Sequence, residues 1–237
     1  MQKNSFQGNT YQLLNRSFGI SREVLDAVAE AEGQIRDIFQ ELDDIMSYNQ
    51  YKILDAFQKN RISDMHFGWN TGYGYNDPGR EALEKVYSDV FRTEAALVRP
   101  TIVSGTHALT LTLAGILRPG DELIYCTGKP YDTLEEVIGI RGKDQGSLRD
   151  FGIEYKQVEL KPDGSIDLDA LGKAITPKTK MTTLQRATGY DWRRAVTIDE
   201  IKEWAAFVKS VNPDIVCMVD NCYGEFVEKD EPTAVGA

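Results

Sequence analysis

The chain has 237 residues, 41% hydrophobic and 27% charged, with 20 glycines and 8 prolines, a globular composition that excludes collagen-like, disordered and disulfide-scaffold classes. Lys and Arg number 27 against 37 Asp and Glu, and the resulting net charge of −10 argues against nucleic acid or an anionic membrane as partner, since a phosphate field repels it. No run approaches the ~18 continuous apolar residues of a membrane-spanning helix, and the polar start Met1-Gln2-Lys3-Asn4-Ser5 lacks the apolar stretch of a secretory signal.

In chain order, Ser21 is a helix N-cap with Glu23 in the favourable first turn. Val24, Leu25, Val28, Ile35, Ile38, Leu42 and Ile45 then recur at helical spacing. This predicts one helix over 21–47 and a second over 51–59, an amphipathic arm that packs on its own domain or on a partner subunit. From His66 the texture changes. Phe67-Gly68-Trp69-Asn70-Thr71-Gly72-Tyr73-Gly74-Tyr75-Asn76-Asp77-Pro78-Gly79 is too rich in glycine for regular structure and reads as loop.

Beyond the loop, the pattern predicts a helix at 80–91, a strand within 95–103 and a helix at 106–117. A strand at 122–126, a helix at 133–140, a strand at 153–159 and a helix at 168–175 follow. The series closes with a strand at 179–185, a helix at 198–211 and an apolar strand at 215–219. Such alternation specifies an α/β fold, a mostly parallel sheet flanked by helices, at 66–237, behind an N-terminal helical arm at 1–65. Ligands of such sheets bind at the carboxyl ends of the strands, and that is where chemistry is expected.

Ser104-Gly105-Thr106-His107-Ala108 runs from a strand into a helix, so backbone amides, the Thr106 hydroxyl and the helix dipole can meet an anion. The same residues also make an ordinary capped turn. Asp220 ends the apolar strand. It is either a turn residue or, if buried, a carboxylate that needs a cationic partner such as a protonated ring nitrogen or a metal. Tyr131 follows a short loop and can lie against a flat ligand or cover a core edge. Gln185 and Arg186 close another strand and can reach the same crevice, with a surface salt bridge as the other account of Arg186. Cys126, Cys217 and Cys222 form no C-x-x-C pair, which points to a reducing compartment; Cys217 and Cys222 read as packing residues. His66 and His107 are too scattered for a histidine metal site, so no metal is expected. His66 reads as a structural hydrogen-bonding residue, and His107 stands nearer the anion site.

In order and context, Ser104-Gly105-Thr106-His107-Ala108, Tyr131 and Val219-Asp220-Asn221 resemble pyridoxal-phosphate enzymes of the aspartate-aminotransferase fold. Tyr73-Gly74-Tyr75-Asn76-Asp77-Pro78-Gly79-Arg80-Glu81-Ala82-Leu83-Glu84 is similar to the segment that precedes this helix in the cystathionine lyase and methionine gamma-lyase group. With Gly189-Tyr190-Asp191-Trp192-Arg193, the whole run from His66 to Ala237 is similar to the aluminium-resistance, cystathionine beta-lyase-like branch.

The resemblance implies a pyridoxal 5'-phosphate cofactor. Ser104, Gly105, Thr106 and His107 would hold its phosphate and Tyr131 would stack on its ring. Asp220 would pair with the ring nitrogen, and Gln185 would sit near the phenolic oxygen. Tyr73 or Tyr75 would reach the phosphate of a neighbouring subunit's cofactor. The group's Tyr-x-Arg is not matched, because Tyr75 or Gly74 stands where the arginine falls. The family's Schiff-base lysine lies downstream of the aspartate strand, and the one later lysine here, Lys229, is too close to Asp220.

The expectation is therefore the N-terminal portion of a longer cytoplasmic enzyme, a homodimer or homotetramer. The lysine, the substrate-carboxylate arginine and a small C-terminal domain would follow Ala237. The implied reaction is elimination from a small-molecule substrate, a sulfur-containing amino acid. The competing readings are an aminotransferase on the same scaffold and a non-catalytic ligand-binding or assembly module.

Overall fold

The computed structural model describes residues 8–75, 77–143 and 146–237. Residues 1–5 and Asn76, both used in the sequence reading, lie outside the described residues. The chain divides into two compact units, Met1–Gln50 and Tyr51–Ala237.

The first unit is helical. Helix α1 (Asn9–Ser17) was not anticipated; α2 (Arg22–Gln34) starts where the Ser21 hydroxyl accepts a hydrogen bond from Val24 N. The single helix expected over 21–47 is broken at Ile35, just after Gly33, a residue that costs about 1 kcal/mol in a helix interior. Helix α3 (Arg36–Lys59) then continues through Tyr48-Asn49-Gln50, where a break between two helices was expected. Those three residues disfavour a helix only weakly, and without Gly or Pro nothing stops it.

In the second unit, the loop expected over 67–79 shares its first residue with a 3₁₀ turn, Asp64–Phe67. Helix α4 (Pro78–Phe91) begins two residues before its predicted start, because Pro78 suits the first helical position and the Asp77 carboxylate accepts from Arg80 N at 3.0 Å. The strand predicted within 95–103 is absent. Its backbone is satisfied locally: Val98 N donates to Glu84 Oε1 at 3.0 Å, Arg99 pairs with the same carboxylate, and Ile102 N turns back to Arg99 O.

The remaining elements follow the predicted alternation. They are α5 (Gly105–Ile116), β1 (Glu122–Tyr125), α6 (Asp132–Ile138), β2 (Glu154–Gln157), α7 (Leu168–Ala174), β3 (Thr179–Gln185), α8 (Ile198–Val211) and β4 (Val216–Asp220). The four strands form one parallel sheet in the order β2-β1-β3-β4, so Asp220 ends an edge strand of this sheet.

Alternation along the strands divides the core in two. Leu123, Tyr125, Met181 and Met218 pack with Leu113, Leu117 and Leu134 beneath α5 and α6. Ile124, Cys126, Leu184 and Cys217 pack on the other face with Leu171, Ile201 and Trp204 of α7 and α8. Burial on both faces explains why β1 and β4 read as apolar runs rather than alternating ones. A third cluster joins Ala56, Val86 and Val90 with Phe226.

The amino end of β1 carries a buried carboxylate, Glu122. It pairs with Lys156 Nζ at 2.5 Å and accepts from Thr179 Oγ1 at 2.5 Å and Thr176 Oγ1 at 3.2 Å. Burial by itself would raise the Glu122 pKa, but the Lys156 and Thr179 contacts outweigh it and hold it below the ordinary value. A depressed folded-state pKa stabilises the protein above the unfolded value, about 4.3 for Glu, and the gain is lost as pH falls through the folded value. Glu122→Gln is therefore expected to cost about 2 kcal/mol at neutral pH, a figure moderated by the partial exposure of Lys156. Urea unfolding as a function of pH should show the gap to wild type closing below about pH 4; a gap independent of pH would contradict the assignment.

Candidate functional site

The register pairs Gln185 of β3 with Asp220 of β4, so both side chains leave the carboxyl end of the sheet on the α5/α6 face. The amino ends of α5 and α6 point to the same place. A cavity of about 530 Å3 lies there, walled by Gly105, Thr106, Tyr131, Gln185, Asp220 and Cys222, among others. This volume is in the range of small-molecule sites, roughly 300–1,000 Å3. The structure thus brings together five of the residues picked out from the sequence: Gly105, Thr106, Tyr131, Gln185 and Asp220.

The other four are placed elsewhere. Ser104 is the N-cap of α5, its hydroxyl accepting from His107 N at 3.1 Å, and it is not among the walls of the cavity. His107 Nδ1 accepts from Val103 N at 3.3 Å, so the ring braces the turn before α5 instead of facing the cavity. Tyr73 and Tyr75 are more than four-fifths exposed on the loop before α4 and do not reach this cavity. His66 caps its own 3₁₀ turn, Nδ1 accepting from Ser63 N at 3.1 Å.

Asp220 is 5% exposed, and among the described residues no cationic side chain pairs with it. Its Oδ1 accepts from Cys222 N at 3.1 Å. A buried carboxylate supported by so little is costly unless a positive group arrives to face it. Gly105 lines the same cavity; a Cβ there would lie 3.9 Å from Cys222 Sγ. Thr106 Oγ1 and Thr133 Oγ1 are 2.7 Å apart, which fixes two hydroxyls beside the first amides of α5. The exposed amino end of this 12-residue helix attracts negative charge.

Three features escaped the sequence reading. Cys222 is exposed at the cavity wall instead of packed in the core, unlike Cys217. Partial desolvation at the cavity wall first, then the hydrogen bond to Asp220, pushes its thiol up to about 12, so it stays protonated at neutral pH. Arg186 is not a surface residue: it is 3% exposed, is not among the walls of the cavity, and its salt bridge to Glu228 joins a buried guanidinium to a partly exposed carboxylate. Its guanidinium donates to Val196 O, Asn221 Oδ1, Gly224 O and Glu228 Oε1 at 2.7 to 3.3 Å. The polar residue after β3 was visible in the sequence, but the partners, which are up to 42 residues away, were not. Finally, Tyr131 stacks on Tyr190, with ring centroids 5.6 Å apart and planes 25° apart, and donates to Tyr190 Oη at 3.2 Å.

The profile of the methionine gamma-lyase family matches residues 24–237. The chain is similar to a Listeria innocua structure named a candidate cystathionine beta-lyase involved in aluminium resistance, 57% identical with a TM-score of 0.89 over 92% of this chain and 53% of that one. It is also similar to a carbon-sulfur lyase involved in aluminium resistance from Clostridium novyi NT, 48% identical with a TM-score of 0.88 over 96% of this chain and 54% of that one. The uncharacterised Bacillus subtilis protein YnbB is 53% identical over 209 residues, which are 88% of this chain and 50% of YnbB. The chain thus spans about half the length of the relatives it matches. A parallel sheet with this cavity at its carboxyl edge, and a profile match running from the second helix to the last residue, make this chain a member of the methionine gamma-lyase family.

Proposed function

We propose that this chain supplies the cofactor-holding part of a pyridoxal-phosphate-dependent carbon–sulfur lyase acting on a sulfur-containing amino acid. The observation that carries the reading is the buried, cation-free Asp220 sharing one cavity with the amino end of α5. A carboxylate and a helix amino end lining one cavity match a small heterocycle with a protonated ring nitrogen and an anionic tail. The names given to the Listeria and Clostridium relatives support a carbon–sulfur lyase.

When bound, pyridoxal phosphate supplies an electron sink for a carbanion at the substrate's alpha carbon. Asp220 keeps the ring nitrogen protonated, which is what makes the sink effective. The Gly105 and Thr106 amides, with the Thr106 and Thr133 hydroxyls, receive the phosphate. Tyr131 covers the ring, and Gln185, opposite Asp220 in the register, stands where it can bond the phenolic oxygen. Ser104 contributes by capping α5. In the same proposal the exposed Tyr73 and Tyr75 meet another copy of the chain in a homo-oligomer.

The test uses the intact protein, incubated with pyridoxal phosphate and then with cystathionine or methionine. The expected result is saturable cofactor binding in the visible spectrum followed by release of a thiol or amino-acid thiol, a keto acid and ammonia. Amino transfer to a keto acid without thiol release would replace the lyase with an aminotransferase. Failure to bind cofactor would leave a ligand-binding or assembly module.

A further inference from the structure

We propose, resting on the cofactor reading above, that Tyr190 is a positioning residue that holds the Tyr131 ring against the cofactor's heterocycle. Tyr131 and Gly189 line the cavity and Tyr190 does not, so Tyr190 bears on that wall through its contact with Tyr131. The two rings stack, and the Tyr131 hydroxyl donates to Tyr190 at 3.2 Å. Tyr190 is 84% exposed, so burial does not hold it there; the contact with Tyr131 and the shape of its loop do.

That loop is tightly specified. Gly189 has φ +61°, and a Cβ there would lie 2.8 Å from Gln185 Nε2, so a side chain at 189 would displace a wall of the cavity. The half-buried Arg193 guanidinium donates to Gln185 O at 3.0 Å and also to Ala187 O. The end of β3 and the Tyr190 turn are thereby locked together, so the residue facing the ring's polar edge and the residue backing its cover share one frame. The contact also leaves a chemical mark on Tyr131, whose hydroxyl is pushed up to about 12, first by the hydrogen bond to Tyr190 and then by desolvation.

The experiment compares wild type with Tyr190→Phe and Tyr190→Ala in the full chain. Tyrosinate absorbance is read by pH-jump mixing before the fold responds, and Tyr131→Phe identifies the Tyr131 step. In parallel, pyridoxal-phosphate affinity and the circular dichroism induced in the bound cofactor are measured. Tyr190→Phe should bring Tyr131 down toward the ordinary tyrosine value of about 10 and weaken cofactor binding by roughly threefold, the modest effect of one solvent-exposed hydrogen bond. Tyr190→Ala, which also removes the stack, should reduce the induced dichroism further. The inference is overturned if Tyr131 titrates unchanged in Tyr190→Phe, or if both variants bind cofactor with wild-type affinity and dichroism. A wild-type chain that binds no cofactor would instead overturn the reading on which the inference rests.

Discussion

Asp220→Asn is expected to weaken pyridoxal-phosphate binding by about 100- to 1,000-fold, the loss that follows when one partner of a buried charge pair is removed. The same substitution should leave the cofactor-free fold as stable as wild type, or more stable by up to about 1 kcal/mol, because the free carboxylate is buried without a cation. This opposition of sign makes the experiment informative. A structural turn aspartate would lose stability and show no particular relation to the cofactor. Absorbance titration with pyridoxal phosphate and urea unfolding of the same preparations read the two quantities separately. Wild-type cofactor affinity in Asp220→Asn would remove the basis of the functional proposal.

Arg186→Ala is expected to cost about 3 kcal/mol of stability. The substitution leaves Asn221 Oδ1 and Gly224 O without their guanidinium donor and removes the Arg186–Glu228 pair. The segment it holds is under backbone strain: Tyr223 and Phe226 adopt φ of 68° and 62°, a region that non-glycine residues seldom occupy. The fit around Gly224 is equally close, since a Cβ there would lie 2.7 Å from Arg186 Cδ. Arg186→Lys should not restore stability, because a single ammonium cannot span the fork of acceptors that the guanidinium reaches. Urea unfolding would measure the loss, and amide exchange over 221–228 would show whether the loop after Asp220 is released. A lysine variant as stable as wild type would show that only the charge matters.

The sequence carried the alternation of strands and helices after residue 120 because β1, β3 and β4 are largely buried and the helices between the strands are clearly bounded. The limits of β3 and α8 agree with the pattern to the residue. It misplaced the break in the long N-terminal helix, because one glycine outweighs a run of weakly disfavoured polar residues. It also placed a strand at 95–103, where the apolar content was real but the backbone is satisfied by Glu84. Apolar content reports burial, and only the hydrogen-bond partner distinguishes a ladder from a braced loop.

For the candidate site the division is similar. Tyr131, Gln185 and Asp220 were legible because a parallel sheet delivers what ends or follows its strands to one edge, and Gly105 and Thr106 because the Ser104 cap marks the amino end of a helix, although no strand precedes it. Burial of Arg186, exposure of Cys222 and the Tyr131–Tyr190 contact depend on segments 42 to 117 residues apart meeting in space. Residue type and local spacing determined the sheet, the helix that opens at Gly105 and the family. Pairwise partners across the sheet edge were decided by tertiary packing alone, because hydrogen bonds and ring contacts form between surfaces that no local pattern records.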